Sequence, residues 1–284
     1  MEPKIDHVSD TAYWVAAYRA KETLRPDALF RDPFAARLAG EKGAQISRHV
    51  SKSVYVEWSV VIRTAIIDTF IKEQTARGLD LVLNLGAGLD TRPYRLDLPR
   101  NLRWVEADFP HVIAMKAEKL KHEKPNCLLE RRSVDLSNDD ARAALLDDLQ
   151  NSAQKILVLT EGVLPYLSNE QVSVLAADLA RRDHFQLWVA DYYSPLITKR
   201  LQKGKRLKQF ANSPFLFSPA DWFDFFRSRG WRDREVKYLS DESARFGRKM
   251  PTPLIAHIAR LFVSAKKYQE IERHSAYVLL ERAP

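Results

Sequence analysis

Leu81-Val82-Leu83-Asn84-Leu85-Gly86-Ala87-Gly88-Leu89-Asp90 is the stretch that decides the fold of this chain. A short apolar run ends in Gly-Ala-Gly and gives way to a polar, helix-starting segment. A strand that runs into a glycine turn opens a nucleoside-binding site, because glycine lets the backbone come close to a ligand. Twenty residues past Gly88, Asp108 closes a second strand-like run, Leu102 to Asp108. An acid there accepts hydrogen bonds from two ribose hydroxyls.

Outward from this pair, short apolar runs alternate with helical segments. Leu128 to Val134, Ile156 to Thr160 and Phe185 to Asp191 read as further strands. Pro110 to Lys121, Asp139 to Gln150 and Asn169 to Arg181 read as the helices between them. That alternation predicts a parallel sheet with helices on both faces. Arg232 to Leu239 and Tyr277 to Glu281 add a closing pair, a hairpin-like edge on the parallel sheet. The expected fold is α/β, a doubly wound, mostly parallel, seven-stranded Rossmann-like sheet in a single domain over residues 1–284. Residues 10–77 predict a helical cover. Ser9 or Asp10 caps a helix through Lys21, and Ser53 opens a longer one with Val56, Val60, Ile67 and Ile71 on one face, ended by Gly78. Pro219 to Ser228 reads as a helix capped by Ser218. Tyr192 to Phe217 fits neither strand nor tight loop and reads as a lid insertion (residues 192–217). Ser243 to Ile255 reads as a second, irregular insertion.

Composition narrows the class. Of 284 residues, 45% are hydrophobic and 29% charged, as in ordinary globular proteins. A single cysteine, Cys127, excludes a disulfide framework and a multi-cysteine metal site. The seven histidines show no metal spacing, so no metal is expected. The N-terminus lacks the apolar core of a secretory signal, and no apolar run approaches the ~20 residues of a membrane span. A cytoplasmic protein that binds no membrane is expected. The net charge of +8 draws heavily on Lys199 to Lys208. That run lacks interleaved aromatics, so it predicts a solvated helical face and no nucleic-acid partner, although its cations would attract an anionic substrate.

The glycine turn leaves a choice of cofactor. Nicotinamide-binding loops read G-x-G-x-x-G, and the third glycine allows close helix–strand packing. Here that position is Thr91, and Pro93 lies in the first turn of the next helix. The pattern disfavours an NAD-dependent oxidoreductase and suits an adenosyl cofactor without phosphate, such as S-adenosylmethionine. Asp135 can accept from an adenine amino group while Leu136 offers a backbone N–H and an apolar side; a helix cap is the equal alternative. Glu161, just past the fourth strand, sits where ligands bind in open α/β sheets and can face a cationic ammonium or sulfonium.

Taken together these residues resemble a known family. Leu85-Gly86-Ala87-Gly88-Leu89-Asp90-Thr91-Arg92, Glu106-Ala107-Asp108-Phe109-Pro110, Asp135-Leu136 and Glu161-Gly162-Val163-Leu164-Pro165-Tyr166-Leu167 are similar to the leucine carboxyl methyltransferases. That family includes protein phosphatase methyltransferases, bacterial S-adenosylmethionine-dependent enzymes, and polyketide carboxyl O-methyltransferases similar to the tetracenomycin-pathway enzyme. Val15 to Ala20, Leu29 to Leu38 and Arg63-Thr64 resemble the bacterial branch. The resemblance covers most of residues 10 to 195 and implies a class I methyltransferase fold. It implies that Arg63 pairs with the methionine carboxylate, helped by Arg19, and that Gly86 and Gly88 approach the cofactor. It implies that Asp108 holds the ribose, Asp135 and Leu136 the adenine, and that Glu161 lies near the methionine moiety.

The acceptor is read from chemistry. A carboxylate, with a reference pKa of about 4, arrives ionised, whereas a phenol at about 10 benefits from a base. No base is evident beside the Glu161 loop, and no catalytic proton-transfer residue can be named. The expected activity is therefore O-methylation of a small-molecule carboxylate, such as a polyketide-type metabolite. A phenolic acceptor, or a cofactor-binding protein without transferase activity, is the alternative. Tyr94, Tyr166, Tyr192 and Tyr193 lie at strand ends, where they can line an acceptor pocket or simply pack.

Overall fold

A computed structural model describes residues 11–50, 54–203, 214–251, 264 and 272–284. The expected caps at Ser9, Asp10 and Ser53, the basic run from Lys205 to Lys208 and the second insertion beyond Pro251 lie outside the described residues.

Seven strands form one sheet: β1 (Leu81–Leu85), β2 (Arg103–Asp108), β3 (Leu128–Ser133), β4 (Ile156–Thr160), β5 (Phe185–Tyr193), β6 (Trp231–Tyr238) and β7 (Ser275–Arg282). Their order is β3-β2-β1-β4-β5-β7-β6. β1 to β5 pair in parallel, and β7 runs antiparallel between β5 and β6. The chain winds outward from β1 in one direction and returns through β4 in the other. Ligands collect at such a reversal, beyond the carboxyl ends of the strands. Every residue of β1 and β4 is buried, because helices cover both faces and a continuous apolar run is what such a strand requires. β3 lies on an edge and carries Glu130, Arg131 and Arg132 half-exposed. Charges of that kind discourage edge-to-edge pairing.

The helices follow their sequence signals with some corrections. α1 (Thr11–Thr23) and α2 (Ala35–Val50) form the N-terminal cover with α3 (Val54–Thr75). α3 has no single apolar face. Ile62, Ile66 and Phe70 pack on the sheet side with Val82 and Leu157, while Val60 meets Trp14 and Tyr18, and Val61 meets Phe30. The helix is sandwiched, so apolar residues occupy most of its circumference. After the glycine turn comes the short α4 (Arg92–Arg95), then α5 (Pro110–Lys119), α6 (Asp139–Gln150) and α7 (Asn169–Ala180). Asn138 caps α6, and Ser168 with Gln171 forms a capping box on α7. Neither Asp135 nor Ser137 caps α6; Asp135 instead accepts from the N–H and hydroxyl of Ser137 in a turn just before the cap.

The tail holds more helix than its pattern suggests. The insertion after β5 begins as α8 (Pro195–Lys203). α9 (Trp222–Arg227) starts later than expected, with Asp221 and not Ser218 at its cap. Leu239 opens α10 (Leu239–Arg245), so the second insertion starts as regular helix. No described helix is long and apolar enough to cross a membrane.

Two buried charge clusters join the layers. Asp32, 1% exposed, accepts from Arg19 Nε at 2.8 Å and from Thr91 Oγ1 at 2.7 Å, which ties the helical cover to the glycine turn. Beneath β2, the fully buried Lys116 and Glu106 meet at 2.7 Å, and Arg131 approaches the second Glu106 oxygen at 3.0 Å. Removing one partner of a buried pair leaves an uncompensated charge. Lys116→Met is expected to lower stability in urea by about 3 kcal/mol, the lower end of the usual range because Arg131 remains. A loss under about 1 kcal/mol would show that Lys116 adds nothing to the fold.

Candidate functional site

A cavity of about 420 Å³ opens where β1, β2 and β4 end. That volume suits a small molecule. Its walls include Gly86 to Asp90, Asp108, Val134 to Ser137 and Glu161 to Val163, with Arg63 from α3 and Trp14 from α1.

The glycine turn forms one wall. Gly86 and Gly88 have φ of 65° and 46°, in the left-handed region. A Cβ on Gly86 would lie 2.5 Å from Val163 Cγ2. Both positions therefore need glycine, for backbone conformation and for space. Gly88 donates its N–H to Asp108 Oδ2 at 2.7 Å, and Phe109 donates to Oδ1 at 2.7 Å. Burial pushes the Asp108 carboxyl up from its ordinary value, and these two N–H groups oppose the shift. Farther along, Leu136 lines the cavity half-buried, and Asp135 is exposed and kept below its ordinary range by the Ser137 hydroxyl and N–H.

The floor is an ion network. Glu161 pairs with Arg63 Nε at 3.0 Å and with Arg92 Nη1 at 2.7 Å. Arg92, 2% exposed, also holds Asp68 at 2.7 Å and Asp90 at 3.1 Å. Arg95 reaches Asp68 at 2.6 Å, and Asn84 donates to Asp90 at 2.8 Å. Three cations face three anions, so a buried cluster of this size is neutral overall. Burial alone would raise the Glu161 carboxyl, but Arg92 and then Arg63 outweigh it and hold it below its ordinary value. Asp90 resists the same burial and is lowered to about 2, chiefly by Arg92.

The residues anticipated from sequence divide by location. Arg19, Arg63, Gly86, Gly88, Asp108, Asp135, Leu136, Glu161 and Tyr166 all line the cavity. The Arg19 guanidinium is committed to Asp32 and to the carbonyl of Leu89, where it props the turn. Tyr166 bonds Thr11, and burial pushes its phenol up to about 12. Tyr192 and Tyr193 do not line this cavity. Side chains alternate along a strand, so the pair diverges: Tyr192 packs on Trp222 and Phe223, and Tyr193 meets Phe215. Tyr94 is buried against Phe34 and bonds Arg131, away from the cavity. Sequence reasoning assigned no role to Arg92 or Asp68. Arg92 stands inside the quoted Asp90-Thr91-Arg92 motif, which was its one signal; nothing local marks Asp68.

The family model for leucine carboxyl methyltransferases matches residues 12–180. A protein of Rhodococcus jostii with the provisional name of S-adenosyl-L-methionine-dependent methyltransferase is 31% identical over 266 residues, covering 87% of this chain and 90% of the relative. One of Streptomyces avermitilis, provisionally named in the same way, is 29% identical over 253 residues, covering 86% and 89%. The crystal structure of a DUF574 family protein from Streptomyces avermitilis superposes with a TM-score of 0.57 at 13% identity, covering 95% of this chain and 97% of that one, which bears on the fold alone.

Two expectations follow from the site geometry. Gly86→Ala is forced to hold a side chain at positive φ and displaces Val163; stability should drop by about 1–2 kcal/mol in urea from the backbone alone. An unchanged midpoint would place the turn elsewhere. Asp90 has a folded pKa below its unfolded one, so its stabilisation is complete above about pH 4 and disappears as pH falls toward about 2. Between those values wild-type stability should fall more steeply than that of Asp90→Asn, and parallel curves would contradict the pairing with Arg92.

Proposed function

The chain belongs to the leucine carboxyl methyltransferase family and is an S-adenosyl-L-methionine-dependent methyltransferase; from that premise we propose that it methylates a carboxylate oxygen of a small molecule. The single observation that carries the choice of acceptor is the pairing in the cavity floor, where Glu161 and Asp90 are both tied to guanidinium groups. Glu161 and Asp90 are held ionised by guanidinium groups, and Tyr166 stays a neutral phenol. No histidine or lysine is among the described residues lining the cavity. Such a site has little to offer an acceptor that must lose a proton, and it suits one that arrives already ionised.

The residues fit a cofactor that is adenosyl at one end and zwitterionic at the other. Gly86 and Gly88 line the cavity and would present bare backbone to the ligand, while Val163 and Ala12 stand where their side chains would be. Asp108 would accept from the ribose hydroxyls, Asp135 and Leu136 would meet the adenine, and Arg63 would pair with the tail carboxylate. A planar guanidinium forks onto a carboxylate in a way that a lysine cannot. Glu161, kept anionic, would face the tail ammonium. When bound, the cofactor supplies an electrophilic methyl group. The protein's part is to hold the acceptor in line and to exclude water. Tyr166 and Trp14 supply the apolar wall nearest the N-terminal cover, and Pro214 closes it from the segment after α8. The N-terminal helices (10–77) and residues 192–217, of which 10, 51–53 and 204–213 lie outside the described residues, are on this reading the cover and lid of one methyltransferase domain. An acceptor with an apolar body and an anionic end, of polyketide type, matches these walls.

Calorimetry should give micromolar-range binding of S-adenosylhomocysteine and no binding of NAD. Asp108→Ala should weaken the former by about 1.5–3 kcal/mol, the range for hydrogen bonds to a charged group. Arg63→Ala should weaken S-adenosylhomocysteine far more than adenosine, which lacks the tail; equal losses would mean that Arg63 acts on folding. For a carboxylate acceptor the turnover rate stays flat from about pH 6 to 9, whereas a rate that climbs toward phenol ionisation would assign the acceptor as a phenol. Binding with no methylated product from any carboxylic acid or phenol tried would favour a non-catalytic role.

A further inference from the structure

Behind the Glu161 turn, and outside the cavity wall, lies a buried acid with no role so far. Asp191 directly follows Ala190, the last residue of β5 paired in parallel with β4, and is 2% exposed. Its carboxylate accepts the N–H of Gly162 at 3.1 Å on both oxygens and the hydroxyl of Tyr277 at 2.7 Å. Tyr277 lies on β7, directly opposite Asp191 in the antiparallel register. The Asp191 carbonyl is held in turn by the Trp222 indole at 3.1 Å. Gly162 follows Glu161 with φ of 67°, so the chain reverses sharply there.

A turn at the end of a strand has free N–H groups that need an acceptor. Here the acceptor is a charged side chain, which gives a stronger and more directional bond than a neutral one. We infer that Asp191 and Tyr277 are a positioning pair: they fix the Glu161–Gly162 turn, so that β7, which lines no part of the cavity, helps to set the geometry of the donor site. This inference rests on the cavity being the cofactor site. Residue 162 cannot rotate without losing both bonds to Asp191, and a rotation there would move the backbone from which Glu161 reaches Arg63 and Arg92. The charged and titratable groups around Asp191 are Tyr277, Arg63, Glu161, Tyr193 and Tyr166. Burial pushes its carboxyl up to about 6, against the Tyr277 hydroxyl, Arg63 and the Gly162 N–H. The hold on Gly162 therefore weakens when Asp191 gains a proton just below neutrality.

The test uses the full chain with 15N-glycine labelling, in which the nine glycines give few resonances. The Gly162 amide should titrate with a midpoint near pH 6. The midpoint should rise in Tyr277→Phe, and the titration should vanish in Asp191→Asn. In wild-type protein, calorimetric affinity for S-adenosylhomocysteine should fall on the order of fivefold from pH 7.5 to 5.5, and the Asp191→Asn variant should be weak and flat over that range. Phe185→Leu, a buried change at the opposite end of the same strand, where β5 meets Ile156, should lower the melting temperature and keep both the affinity and its pH dependence. The inference is overturned if the Gly162 amide does not titrate, or if it does and both variants bind as wild type. Wild-type protein that binds no S-adenosylhomocysteine while Gly162 titrates would contradict the assignment of the cavity and not the Asp191–Gly162 contact, which the resonance decides alone.

Discussion

Arg92 is the residue on which the site depends. Its buried guanidinium holds Asp68 from α3, Asp90 from the glycine turn and Glu161 from the end of β4. Three separate elements thus share one cation. Taking so many charges out of water is expensive, and the network is tolerable because Arg63 and Arg95 make it neutral and nearly every partner is within 3.1 Å. Neutrality also decides chemistry. An isolated buried carboxylate would drift up and take a proton, whereas Glu161 and Asp90 stay ionised. The floor of the cavity therefore keeps a fixed pattern of charge over a wide range of pH.

The remaining walls are arranged around that floor. The glycine turn is held from one side by Asp108, which accepts the Gly88 N–H, and from the other by Asp32 through Thr91. Thr91 stands where a dinucleotide fold has its third glycine, and its hydroxyl ties the N-terminal cover to the turn. On the far side, Asp191 braces the turn after β4. The glycine turn, the ion-network floor and the turn after β4 are thus each held by a carboxylate that receives backbone N–H groups, a hydroxyl or arginine.

Much of the sheet was legible in the sequence, and for a physical reason. β1 and β4 are buried on both faces, so they read as unbroken apolar runs, and their bounds match the expected ones, Leu81 to Leu85 and Ile156 to Thr160. The glycine turn and Asp108 were legible because backbone conformation and strand-end position restrict which residue types serve. α3 was misread as one-faced because its pattern cannot show that a second layer covers its outer side. α10 was not expected, since a short polar helix carries little periodicity, and α8 was anticipated only in part, as the solvated helical face read from Lys199 onward. The ion network was illegible for another reason: Arg92 pairs with Asp68 at a separation of 24 residues and with Glu161 at 69. Asp191 was visible as the end of a strand, but its partner Tyr277 lies 86 residues on, and only strand register brings them together. Tyr192 and Tyr193 were grouped as strand-end residues, but neighbours in a strand point to opposite faces.

The central claim is that the ion-network floor receives the charged tail of the cofactor, with Arg63 as the part that remains available. A crystal structure of the chain with S-adenosylhomocysteine tests it most directly. The account predicts the tail carboxylate on the Arg63 guanidinium, Glu161 still on Arg92, and the ribose hydroxyls on Asp108. A tail carboxylate bound away from Arg63, with the Arg63–Glu161 pair intact and the ribose off Asp108, would contradict it.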